Sequence, residues 1–195
     1  MNVLHHHEQF LLSIQASTER TEEELRQQAW EEVKAISLFF PLVRSRNVRI
    51  CMAAWLGIFC TVDDMVETLP PSEAEHALRE SITLMGKGPR GYRDAAVLHL
   101  VSRLQEHCEQ YLPEPAAGDF FLEISATFDA YIKEMKYRQG QLPNDLETYM
   151  TIRKSSIGIA PFFSLIKSEL YPKQSSPSIL SELQNQWAFR MISLD

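Results

Sequence analysis

Asp63, Asp64 and Glu67 place three carboxylates within five residues, directly behind the apolar run Trp55-Leu56-Gly57-Ile58-Phe59-Cys60-Thr61-Val62. Read as one helix, Asp63 and Glu67 stand at i and i+4, and Asp64 and Glu67 at i and i+3, so the three can converge on one rim. Pro70 and Pro71 end that helix soon afterwards. The order is electrostatically awkward. A helix C-terminus carries a partial negative charge and favours Lys or Arg, adjacent carboxylates repel, and a mostly apolar helix is a buried one. A divalent cation relieves all three conflicts, and hard cations such as Mg²⁺ bind through one or two carboxylates plus substrate phosphates. An acidic helix exit lying in water is the plain alternative. The apolar run before it and the missing basic partners favour the metal.

A second concentration of chemistry is Arg153-Lys154-Ser155-Ser156-Ile157-Gly158-Ile159-Ala160-Pro161-Phe162-Phe163. In a helix interior Gly costs about 1 kcal/mol and Pro about 3 or more, so both together call for a reason. Pro161 has no N–H for the carbonyl of Ile157, which is left free beside Gly158, where the backbone can be approached closely. A freed main-chain dipole in an apolar setting stabilises developing positive charge. One turn earlier Arg153 offers a fork of donors suited to diphosphate. A proline kink that only shapes the bundle is the alternative. Acids on one helix, an arginine and broken turn on another, and aromatic rings around them describe a container for a carbocation made from an apolar diphosphate, with cation–π attraction taking the place of water.

These residues need elements to hold them. The capping box Thr21-Glu22-Glu23-Glu24 opens a helix with Leu25, Ala29, Trp30, Val33, Ile36 and Phe40 at helical spacing, ended by Pro41. Residues 42–54 read as an Arg-bearing turn into the central helix, which runs to Thr68. Ser72-Glu73-Ala74-Glu75 reads as a capping box for a helix to Met85. The loop 86–91 has no G-K-[ST] ending and is no P-loop. Helices are expected over 92–112 and 120–138, with 113–118 a linker. Asn144 with Glu147 should cap a long helix to Leu170, and Pro177 should start another. The pattern is all-α, about seven helices around a core or cavity.

The 195 residues suffice for one domain. Residues 1–20, with His5, His6 and His7, are expected to be disordered or loosely packed, and 21–195 to form a single α-helical domain. A net charge of −7, from 19 basic and 26 acidic side chains, argues against nucleic acid and against a polybasic membrane anchor. No apolar run is long enough to span a bilayer, so no stable membrane insertion is expected. Cys51, Cys60 and Cys108 lack metal-ligand spacing and read as reduced core thiols of a cytoplasmic protein.

Taken together, Phe39-Phe40-Pro41, the run Trp55–Val62 into Asp63-Asp64-Met65-Val66-Glu67, and Arg138, Pro143, Tyr149, Arg153, Gly158 and Pro161 resemble a class I terpene cyclase of the fungal type. The resemblance covers roughly residues 25–195. It implies a class I terpenoid-synthase-type helical bundle lacking its last helices, because the chain stops before the family's second metal motif. It also implies Mg²⁺ as cofactor, with Asp63 the principal ligand and Asp64 and Glu67 supporting. Arg153 becomes the diphosphate sensor, and the Ser156–Gly158 turn, with Ile157 and Gly158, the region whose carbonyl faces substrate. Ser156 stands where the family carries an acid, and Arg138 and Pro143 are spaced one residue wider than the family's pattern. Trp55, Phe59, Phe128, Phe162 and Phe163 are candidate pocket wall. The implied activity is ionisation and cyclisation of a prenyl diphosphate, foremost farnesyl diphosphate, to a sesquiterpene. The alternatives are a non-catalytic remnant or partner of a complete cyclase and a chain-elongating prenyltransferase. A homodimer is compatible with all of these.

Overall fold

The computed structural model describes residues 2–18, 20–87 and 96–170. Among them are eight α-helices and no strand: α1 (Val3–Ser13), α2 (Glu22–Phe39), α3 (Arg46–Thr68), α4 (Pro71–Lys87), α5 (Ala96–Glu109), α6 (Glu114–Arg138), α7 (Leu146–Ser156) and α8 (Ala160–Leu170). None of the described helices is long and apolar enough to cross a membrane. The fold is all-α, as the helical periodicities predict.

Helix α3 is the axis of the assembly. Every residue from Ile50 to Trp55 is buried, because α1, α2, α5 and α8 all pack on it. Small residues let them approach: a Cβ on Gly57 would stand 2.9 Å from Oε2 of Glu32 on α2. The other long helix, α6, packs on α4, α5, α7 and α8 and contributes Phe120, Phe121, Ile124 and Phe128 to the core.

Several boundaries differ from the sequence reading, each for a local reason. The first 20 residues are not loosely packed where described. Asn2 caps α1, its side chain accepting from the N–H of Leu4 at 2.8 Å, and Phe10, Leu11 and Ile14 are buried. The stripe His7, Phe10, Leu11, Ile14 has helical spacing, but its first member is a histidine, buried against Glu32 of α2, which hydropathy counts as polar. Residues 46–54 are already helix, because Ser45 caps α3 by accepting from the N–H of Val48 at 3.3 Å. Pro71 takes the first position of α4, so Ser72 lies inside that helix rather than capping it. Of the expected linker 113–118, Pro113 is the N-cap of α6 and the rest is already helix, its second residue Pro115 sitting where the N–H has no helical partner to lose. Asp145, not Asn144, caps α7: it accepts from the N–H of Thr148 at 2.7 Å, while the Asn144 side chain accepts from the Tyr137 hydroxyl. Cys51 and Cys108 are buried as expected, but Cys60 is exposed. The Thr21–Glu24 capping box forms as read. The loop tip, the first residues of the 92–112 helix, and the helix expected after Pro177 lie outside the described residues.

Candidate functional site

The acidic end of α3 is held in place by the core behind it. Val62 and Val66 point inward, which turns Asp63 half inward and leaves Asp64 and Glu67 exposed. The Asp63 carboxyl is pushed above its ordinary value, first by burial and then by the charge of Glu67, with Glu134 and Asp64 adding to it. The buried hydroxyl of Tyr131, on α6, sits close to this carboxylate without a hydrogen bond of ordinary geometry. Asp64 faces the other way, with Arg20 Nη2 at 4.0 Å.

Across from these acids, α6 presents Glu134 and Arg138 one turn apart. Arg138 donates through Nη1 to Glu67 Oε1 at 3.0 Å and through Nη2 to Glu134 Oε1 at 2.7 Å. The second oxygen of Glu134 lies 3.9 Å from Arg153 Nη1, on α7. Glu134 is nearly buried, its side chain 13% exposed, so it is the fixed member of the group. Of the α3 acids, Glu67 is thus linked to Arg153 through Arg138 and Glu134, while Asp64 faces Arg20, so the three acids do not converge as the spacing allows.

The Arg153–Pro161 stretch is not one kinked helix. Helix α7 ends where Ile157 N–H donates to the Arg153 carbonyl at 3.1 Å; Gly158 then turns with φ +67°, and α8 starts at Ala160. Among the described residues no backbone N–H outside the helices reaches the Ile157 carbonyl, and the reason is the break at Gly158 rather than the N–H that Pro161 lacks in a continuous helix. The carbonyl of Gly158 is occupied instead: the indole N–H of buried Trp55 donates to it at 3.0 Å. Gly158 is also pressed on Phe59, since a Cβ there would stand 2.0 Å from Phe59 Cε2. Positive φ and the absence of room both require glycine.

Beneath the rim lies an aromatic cluster. Trp55 meets Phe59 at 5.5 Å and Phe128 at 6.3 Å between ring centroids, and Tyr131 lies 6.0 Å from Phe59 and 6.3 Å from Phe128. Trp55 and Phe128 are fully buried, and Phe59 alone of these expected wall residues keeps some exposure. Phe162 stacks on Phe40 at 5.3 Å, and Phe163 is buried.

The sequence reading did not single out Tyr131 or Glu134 as site residues and carried Arg138 only as part of a motif. Their signal was present: Tyr131, Glu134 and Arg138 fall three and four apart, continuing the stripe that begins at Phe121 and Phe128.

The oxygen-only donor set, and the half-buried Asp63 among like-charged carboxylates, fit a hard divalent cation. Asp63 and Glu67 would hold it. As placed, no three His, Cys, Asp or Glu side chains among the described residues stand within reach of one ion, and Glu67 is drawn towards Arg138.

Among the described residues the chain is an all-helical bundle whose acid-bearing helix end faces arginines over an aromatic core. The family model described as terpene synthase family 2, C-terminal metal binding, matches residues 54–173, well over half of the chain, and the protein belongs to that family. Neither the curated proteins nor the solved structures return a match.

Proposed function

We propose that this protein ionises and cyclises a prenyl diphosphate, with farnesyl diphosphate the substrate to test first, giving a sesquiterpene and free diphosphate. The observation that carries this reading is the chain of charged contacts from Arg153 through Glu134 and Arg138 to Glu67 at the acidic end of α3. Bound Mg²⁺ would supply Lewis-acid stabilisation of the departing diphosphate. Asp63 would be its principal ligand, with Glu67 beside it; Asp64, turned towards Arg20, has a lesser part.

The chain's own residues do the rest. Arg153 binds the diphosphate and holds its oxygens in line for departure of the allylic carbon. The Ile157 carbonyl is the backbone dipole left to face developing positive charge, because that of Gly158 is taken by Trp55. Phe59, with Tyr131 behind it, gives an aromatic face to the cation and helps keep water from it.

The test is incubation of the purified protein with Mg²⁺ and farnesyl diphosphate, followed by gas chromatography. A Mg²⁺-dependent hydrocarbon that disappears in D63A and R153A is expected. No product, with diphosphate binding unchanged in D63A, refutes the reading.

The reading as a non-catalytic partner of a complete cyclase draws support from the exposed side chains of Leu38, Phe39 and Leu42 at the end of α2, 68%, 63% and 81% accessible. In that case the protein is folded and inactive alone, and elutes with the cyclase on size exclusion.

A further inference from the structure

Arg138 places one guanidinium between two carboxylates from different helices, Glu67 on α3 and Glu134 on α6, with both terminal nitrogens engaged at 3.0 and 2.7 Å. Asp63 feels the charge of both acids. The guanidinium therefore lies among the very oxygens whose mutual repulsion a divalent ion would relieve, and it keeps Glu67 turned to itself. An inter-helix clamp that merely ties α3 to α6 would not need to use a metal-ligand candidate as one of its jaws. Lys133 on the same helix shows the contrast: its ammonium pairs within α6, with Asp129 at 2.7 Å, and touches no acid of α3.

We propose that Arg138 is a resident counter-ion of the acidic rim, occupying Glu67 until metal arrives together with diphosphate, so that it sets the order of loading. This rests on the metal–diphosphate reading above. Metal alone must displace the guanidinium from Glu67 and leave it without a partner there. Metal arriving with a diphosphate brings the negative charge that the released guanidinium can turn to. Arg138 is thus a positioning residue acting through Glu67, and its removal should improve the binding of free metal while impairing the coupled binding.

The experiment is Mn²⁺ binding by electron paramagnetic resonance, with and without inorganic diphosphate, on the full chain and its R138Q and K133Q variants. R138Q should bind free Mn²⁺ about three- to tenfold more tightly than wild type, the scale set by two partly exposed ion pairs. It should also lose at least part of the tightening that diphosphate produces in wild type. K133Q removes the same charge from the same helix and should behave as wild type within about twofold, so it reads the general field alone. A thermal melt of R138Q confirms that the variant is folded. Equal effects of R138Q and K133Q, or free-metal binding unchanged or weakened in R138Q, overturn the proposal while leaving the site reading intact. Absence of Mn²⁺ binding in every variant, with and without diphosphate, overturns the site reading and this proposal with it.

Discussion

Replacing Gly158 with alanine meets two constraints at once. The residue holds φ +67°, where a Cβ costs about 1–2 kcal/mol in contact with the neighbouring carbonyl. The same Cβ would stand 2.0, 2.4 and 2.8 Å from Cε2, Cδ2 and Cζ of Phe59. That ring cannot swing freely, because Trp55 and Tyr131 flank it, so overpacking adds about 1–3 kcal/mol. The total, about 2–5 kcal/mol, is a large part of the 5–15 kcal/mol that holds an ordinary domain. At about 2–4 °C per kcal/mol for a chain of this size, G158A should melt roughly 4–20 °C below wild type by far-UV circular dichroism. In an F59A background the steric share vanishes and only the φ share remains, giving a coupling of about 1–3 kcal/mol in a double-mutant cycle. G158A melting within about 1 °C of wild type, or costing as much with Phe59 absent, would refute the geometry.

Three further outcomes follow from the same contacts. Trp55→Phe keeps the ring packing but strands the Gly158 carbonyl, now bonded at 3.0 Å, and should cost about 1–3 kcal/mol in urea unfolding. Asp63→Asn removes a charge that burial and Glu67 disfavour, so the metal-free protein should keep its Tm or gain up to about 3 °C while diphosphate binding falls, both read on one preparation. His107, packed 4.6 Å from Phe10, is lowered by burial to about pH 4 from 6.5. The unfolded chain therefore takes up this proton first on acidification, and stability is lost as pH falls from about 6.5 to 4, by at most about 3 kcal/mol. H107Q should flatten that part of the pH–stability curve.

What the sequence made legible was local. The Thr21–Glu24 box, the end of α2 at Pro41 and the end of α3 near Thr68 depend on residues within a turn of one another, and all three stand. The cap at Ser45 was equally local, but charged Arg44, Arg46 and Arg49 obscured the apolar period behind it. Between Asn144 and Asp145 the tie is broken by Tyr137, which occupies Asn144 from the preceding helix. The break at Gly158 was placed on the right residues but kept inside one helix running to Leu170, because its cause is non-local: Trp55 and Phe59 come from α3, Trp55 103 positions away in the chain. The same holds at the rim. Asp63, Glu67 and Arg153 were visible from charge and spacing, whereas Glu134 and Arg138 look like an ordinary i, i+4 surface pair until α3 and α7 are set beside them. The aromatic residues divided likewise, since nothing in their spacing tells Phe128, which joins Trp55, from Phe162, which joins Phe40.

The central claim is that the acids of α3 and Arg153 of α7 serve one ligand. Isothermal titration of inorganic diphosphate into the protein, with and without Mg²⁺, tests it most directly. The account predicts binding that requires Mg²⁺ and is lost in both D63A and R153A, two residues on different helices, one 3.9 Å from Glu134 and the other feeling its charge. Diphosphate binding that is indifferent to Mg²⁺, or that survives in either variant with wild-type affinity, would contradict it.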